Sequence, residues 1–182
     1  CVITANVANR YGGGTHKGTL YECMVRYSTA GYTGGRGGGG TYQATAYGCQ
    51  IVSNRVIRSS GGGMHGGKAV ACYIAGNTVG SPTTPSNSQG GGFGAGGILI
   101  SSTVTLNVAS DSSGQEYGGG VRGGTSDYRP VYMSNCVVSA NRAGNAGGMV
   151  GVRAYDSVIS DNSARDGGGT RWCSLINCTV VN

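Results

Sequence analysis

One phrase recurs along the 182 residues: a glycine run, eight residues, a cysteine, then x-[VI]-x-x-Asn-x-[AV]. Aligned on the cysteine slot, the copies begin at Cys1, Cys23, Cys49, Cys72, Ser102, Cys136, Ser157 and Cys178. The last glycine precedes the slot by nine residues in five copies, by ten from Gly92 to Ser102, and by sixteen from Gly120 to Cys136. A short period held along a whole chain means stacked, near-identical units, each burying its apolar face only against its neighbours. Residues 1–182 therefore read as a single solenoid.

Around the slot the sequence alternates. Two residues before it stand Tyr21, Tyr47, Val70, Ile100, Ser134, Tyr155 and Ile176; two after it stand Ile3, Val25, Ile51, Ile74, Val104, Val138, Ile159 and Val180. Period two with β-branched and aromatic residues predicts strands, and both rows are expected on one buried face. No helical periodicity competes.

Five residues past the slot come Asn6, Ser28, Asn54, Asn77, Asn107, Asn141 and Asn162. Asn tolerates left-handed backbone angles, so these positions are expected at a bend between two strands. Stacked at ~4.8 Å, their amides can also bond one another as in cross-β ladders. The glycine runs at 12–14, 37–40, 61–63, 90–92, 118–120, 147–148 and 167–169 predict a corner where neighbouring units approach closely. A phosphate-cradling loop needs a Lys-Ser/Thr pair and a following helix, and no copy has them. Strand, Asn bend, strand, glycine corner, strand is the cross-section of a right-handed parallel β-helix of about seven coils, roughly 34 Å long.

Pairs such as Val138–Asn141 with Gly147–Met149 resemble the F-x-x-N and GG-A-[IL] repeats of polymorphic outer-membrane autotransporter proteins. They equally resemble bacterial right-handed parallel β-helix repeat proteins in general. Val or Ile stands where the autotransporter repeats have Phe, and the 182 residues contain no barrel. The resemblance implies a secreted or surface-exposed passenger, often adhesive, at the bacterial cell surface, with no catalytic residues to transfer.

Composition narrows the partners. The chain carries a net charge of +6 with 38 glycines and 11% charged residues. Its cations are dispersed and form no stripe with interleaved aromatics, which argues against nucleic acid; acidic polysaccharide or a cell surface fits better. Seven cysteines would suggest disulfides. Six share one slot, however (Cys1, Cys23, Cys49, Cys72, Cys136 and Cys178), and neighbours ~4.8 Å apart sit wider than the ~3.5–4.5 Å between disulfide-bonded Cβ atoms. Cys23, Cys49 and Cys72 are expected as buried thiols packing as small hydrophobes. Cys173 lies outside that slot, and no role is assigned to it.

No catalytic residues, cofactor or metal site emerge. Glu22 and Asp156 are five coils apart, roughly 24 Å, against the ~5–9.5 Å between glycosidase carboxylates. His16 and His65 flank Tyr42 in one slot, too far apart for one metal, and are expected to face solvent. Long connections at 31–37, 80–89, 110–117 and 125–131 suggest a binding side, with Tyr32, Arg36, Tyr117, Tyr128 and Arg129 as contact residues. One residue past the slot, Val2, Met24, Gln50, Tyr73, Thr103, Val137 and Val158, followed by Thr179, would form an outward stripe suited to lateral packing. Since strand edges at both chain ends would pair readily, the chain reads as a segment of a longer solenoid or a filament subunit, associating end to end or side by side. The expected function is a secreted or cell-surface structural and adhesive module, possible as part of a stalk or fibre. The alternative is a polysaccharide-binding or polysaccharide-degrading protein acting through the long loops.

Overall fold

A computed structural model describes residues 1–31, 37–80, 89–110, 117–124 and 130–181. The described residues are all-β and contain no helix. Their strands form four sheets of eight, five, seven and seven strands, and every pairing is parallel. Each repeat contributes one strand to a sheet and pairs with the same strand of the next repeat. The molecule is thus a stack of parallel repeats, with nearly all ladder bonds between repeats.

The first sheet starts one residue past the cysteine slot, at Val2–Thr4, Met24–Arg26, Gln50–Val52 and their successors to Thr179–Val181. Its register aligns Ile3, Val25, Ile51, Ile74, Val104, Val138, Ile159 and Val180 in one inward column. The second sheet is short, exemplified by Arg55–Val56. The third holds Thr41–Tyr42, Met64–His65, Phe93–Gly94, Val121–Arg122, Met149–Val150 and Thr170–Arg171, and the fourth holds Thr45–Tyr47, Lys68–Val70, Gly97–Ile100 and Val131–Ser134 among others.

The first, third and fourth sheets bury one continuous core, including Ile51, Ile74, Val104, Met64, Phe93, Met149, Leu99 and Met133. The fourth sheet contributes both small residues, Ala46, Ala69 and Ala154, and large ones, Leu99 and Met133, to that core. A glycine makes room for Phe93. A Cβ on Gly97 would stand 2.9 Å from the Phe93 ring, so the one repeat that carries the chain's single Phe has glycine opposite it.

The expected single buried face around the slot is wrong in one row. Tyr21, Tyr155 and Ile176 are exposed, and Tyr47, Val70, Ile100 and Ser134 half-buried. The inward residues are instead Leu20, Ala46, Ala69, Leu99, Met133, Ala154 and Leu175, one position earlier. The cause is the residue just before the slot: Glu22, Gly48, Ala71, Ser101, Asn135, Asp156 and Asn177 all have φ between 48° and 58°. A left-handed residue turns the chain, so the two-residue period does not run through it.

The slot itself is a polar corner. Cys23, Cys49, Cys72 and Cys136 donate S–H to the carbonyl two residues earlier at 3.1–3.3 Å, and Ser102 and Ser157 donate O–H to the same carbonyl position at 2.7–2.8 Å. The slot atom also accepts the N–H of the preceding repeat's slot residue, as Ser102 Oγ does from Cys72 and Ser157 Oγ from Cys136. Cys23, Cys49 and Cys72 are buried in the core as expected, and they also hydrogen-bond, a role that serine fills at Ser102 and Ser157. All seven cysteines are free thiols.

Asn residues at the second bend form the expected amide ladder but do not themselves take the left-handed conformation. The left-handed residue is their predecessor, as in Ala5, Tyr27, Ser53, Gly76, Leu106, Ala140 and Asp161. The Asn side chains turn inward and form an amide chain from Asn54 through Asn77, Asn107 and Asn141 to Asn162, at 3.0–3.1 Å per link. Each also donates to a strand carbonyl of the preceding repeat, Asn107 to Ile74 at 3.0 Å. Asn6 stays outside this chain: it is exposed, bonds its own Thr4 carbonyl, and faces Ser28 where the next amide would be.

Candidate functional site

The third sheet carries a second packed layer on its outer side. Its outward column runs His16, Tyr42, His65, Gly94, Arg122, Val150 and Arg171 in register. The segments that enter the glycine runs lay a parallel column beside it, bridging Ser60 to Gln89, Gln89 to Tyr117, Tyr117 to Asn145 and Asn145 to Asp166. Tight glycine corners bring these two columns together. At Gly62 a Cβ would sit 2.4 Å from Gly91 O and 2.6 Å from Thr78 O, so no side chain fits.

One end of the layer is aromatic. Tyr42 stacks on His65 at 4.9 Å and meets His16 edge-on at 5.2 Å, while Tyr11 packs on Tyr42 at 4.8 Å. His65 is buried and its Nδ1 lies 2.9 Å from the Ser60 hydroxyl. The expectation that both histidines face solvent therefore holds only for His16; His65 is covered because the 57–60 segment folds over it.

The other end is cationic and aromatic. The Arg171 guanidinium lies 4.3 Å from the Trp172 ring centre and 5.7 Å from that of Tyr117, with the two rings 6.4 Å apart. Its Nη1 donates to Asn145 Oδ1 at 3.4 Å. Arg122 stands two repeats away in the same column, and its buried Nε has no hydrogen-bond partner among the described residues. Burial pushes its guanidinium below the usual arginine range, and the neighbouring Tyr117 offsets this only in part. Cation–π contacts of this kind restrict where a guanidinium can sit.

Of the residues expected to bind, Tyr117 lies in this cluster, half-buried. Tyr32, Arg36, Tyr128 and Arg129 lie outside the described residues, as do Asp111, Glu116 and Asp127. Arg122, Asn145, Arg171 and Trp172 were not singled out by spacing. They sit in different repeats, and only the stacking register brings them together.

The outward row of the first sheet pairs Val2, Met24, Gln50, Tyr73, Thr103, Val137, Val158 and Thr179 in that order. Val2, Tyr73, Val137 and Val158 are exposed at 59%, 43%, 39% and 41%. Around the slot corner the fourth sheet adds exposed Tyr21, Ile98, Tyr132, Tyr155 and Ile176. Tyr21 and Tyr47 stack there at 5.1 Å, and Arg153 lies over Tyr132 at 5.8 Å.

Among the described residues no three His, Cys, Asp or Glu side chains gather as a metal site. Cys173 donates to the Arg171 carbonyl at 3.3 Å, and burial raises its thiol pKa. No helix among the described residues is long and apolar enough to cross a membrane. No family model, curated protein or solved structure matches the chain.

Proposed function

We propose that the chain is a right-handed parallel β-helix of about seven coils, serving as a secreted or cell-surface structural and adhesive module. Its resemblance to autotransporter passenger repeats points the same way. The observation that carries this reading is the exposed apolar surface running from Val2, Tyr73, Val137 and Val158 on the first sheet to Tyr132, Tyr155 and Ile176 on the fourth. Large contiguous apolar surface of this kind favours lateral packing against another surface, here a second copy or a cell-surface partner. A row held in one register by a sheet presents its apolar residues on one flat side, which suits side-by-side association.

Sedimentation velocity and electron microscopy test it. The wild-type chain is expected to associate into laterally paired rods with a ~4.8 Å axial repeat. A Tyr73→Lys/Val137→Lys variant is expected to stay monomeric with an unchanged far-ultraviolet spectrum. A wild-type chain that remains monodisperse at high concentration, and fails to adhere to cell surfaces, would overturn the proposal. A polysaccharide-binding role is the second reading, and Arg171 set beside the Tyr117 and Trp172 rings favours it.

A further inference from the structure

We propose that Tyr117, Arg122, Asn145, Arg171 and Trp172 form a subsite for an anionic sugar, a hexuronate or a sulfated hexose within an acidic polysaccharide. Arg122 and Arg171 take the acid group, and the indole of Trp172 takes the apolar face of the sugar ring. This deepens the adhesive reading and rests on it.

Three observations converge. The first is charge. Arg171 lies near the Tyr117 ring, and Arg122 stands two repeats away in the same outward column. Burying the Arg122 guanidinium carries a desolvation cost. Asp166 is the one described carboxylate on this column, and it lies 3.7 Å from Arg165 instead. A bound anion would offset that cost.

The second is geometry. Arg171 lies within cation–π range of two rings and spends one donor on Asn145, which restricts the directions open to the rest of its planar fork. A guanidinium held this way matches carboxylate or sulfate oxygens with little further loss of entropy. Arg122 brings a buried Nε with no partner among the described residues.

The third is strain. Trp172 sits at φ 53° and is 63% exposed. Equivalent corners carry Lys17, Gln43, Gly66, Ala95 and Gly151. A bulky aromatic in left-handed backbone is unfavourable, and an exposed indole gains little burial in return. Its contacts with Arg171 and Tyr117 hold the ring in place, and an exposed ring beside a cation is suited to stacking on a sugar.

Trp172 is the sole tryptophan, so its emission reports on this site alone. Titration with oligogalacturonate and with heparan sulfate hexasaccharides should give a saturable change in one or both, and the arm that responds identifies the acid group. Maltohexaose should give none. Arg171→Gln and the charge-conserving Arg122→Lys should each weaken binding by about tenfold or more, with melting temperatures reported alongside. Arg55→Gln, on the second sheet, should leave affinity unchanged. Silence with both acidic oligosaccharides at millimolar concentration, an equal response to maltohexaose, or wild-type affinity in a folded Arg171→Gln chain would each overturn the proposal. The self-association experiment contains no sugar, so either reading can fail without the other.

Discussion

At the scale of single residues, two polar ladders run through an otherwise apolar interior, and their worth depends on position. Asn107 accepts from the Asn77 backbone at 2.9 Å and side chain at 3.0 Å, and donates to Ile74 and Asn141. Asn107→Ala strands several buried groups at once, each costing ~1–3 kcal/mol, so a total loss of about 3–5 kcal/mol is expected. Asn6→Ala should cost well under ~1 kcal/mol, because Asn6 is exposed. Urea midpoints of the two variants check the contrast. The thiols provide a second test. Burial raises the Cys136 thiol to about 11. A folded pKa above the unfolded value near ~8.5 means the folded state holds its proton longer. Its contribution is therefore complete below pH ~8.5 and lost as pH rises through about 11. Cys136→Ser keeps the donor that Ser102 and Ser157 supply in the same slot, so the variant should fold and lose that share of the alkaline dependence.

Each repeat is an element whose shape is set by its corners. The glycines of one run are not equivalent to glycines elsewhere. Gly62 meets carbonyl oxygens of the next repeat and of its facing strand at 2.4 and 2.6 Å, and neither backbone can retreat without breaking a ladder. Gly76, by contrast, has positive φ, but its nearest neighbour is the Ser53 hydroxyl at 3.7 Å, and Ala5 and Ala140 hold the same place in other repeats. Gly62→Ala should therefore cost more than ~3 kcal/mol or abolish folding, while Gly76→Ala should cost only the ~1–2 kcal/mol of a left-handed alanine. Thermal unfolding of the pair distinguishes close approach from backbone conformation as the reason for glycine. The same logic runs in reverse at Ala71, exposed at φ 52°. Ala71→Gly should raise stability by roughly 0.5–1 kcal/mol, opposite to the usual sign in a strand.

For the whole molecule, stability is a sum of interfaces between neighbouring repeats rather than of one compact centre. Ile51, Ile74, Val104 and Val138 are fully buried, whereas Ile3 is half-buried and Leu175 and Ile176 are exposed. Amide hydrogen exchange on the 182-residue chain should grade accordingly, slowest around Ile51–Val138 and fastest in Val2–Thr4 and Ser174–Val181. Uniform protection along the chain would instead mean a single cooperative unit.

The repeat itself determined much of this. The spacing of the cysteine slots fixes which residues pair, and the apolar residue two places after each slot becomes the inward column of the first sheet. All-β content and parallel pairing follow, because identical units in one direction can bond only in register. Spacing could not reveal the phase break before the slot. Whether Tyr21 and Tyr155 point in or out depends on a left-handed residue, and Glu22, Ala71, Ser101 and Asp156 hold that conformation with no common chemistry. Tyr117 was legible as a residue beside a long connection. Its partners Arg122, Asn145, Arg171 and Trp172 were not, since they come from three repeats. Sequence periodicity records what each unit does alike, whereas a site built from residues that differ between units exists only once the stack has placed them side by side.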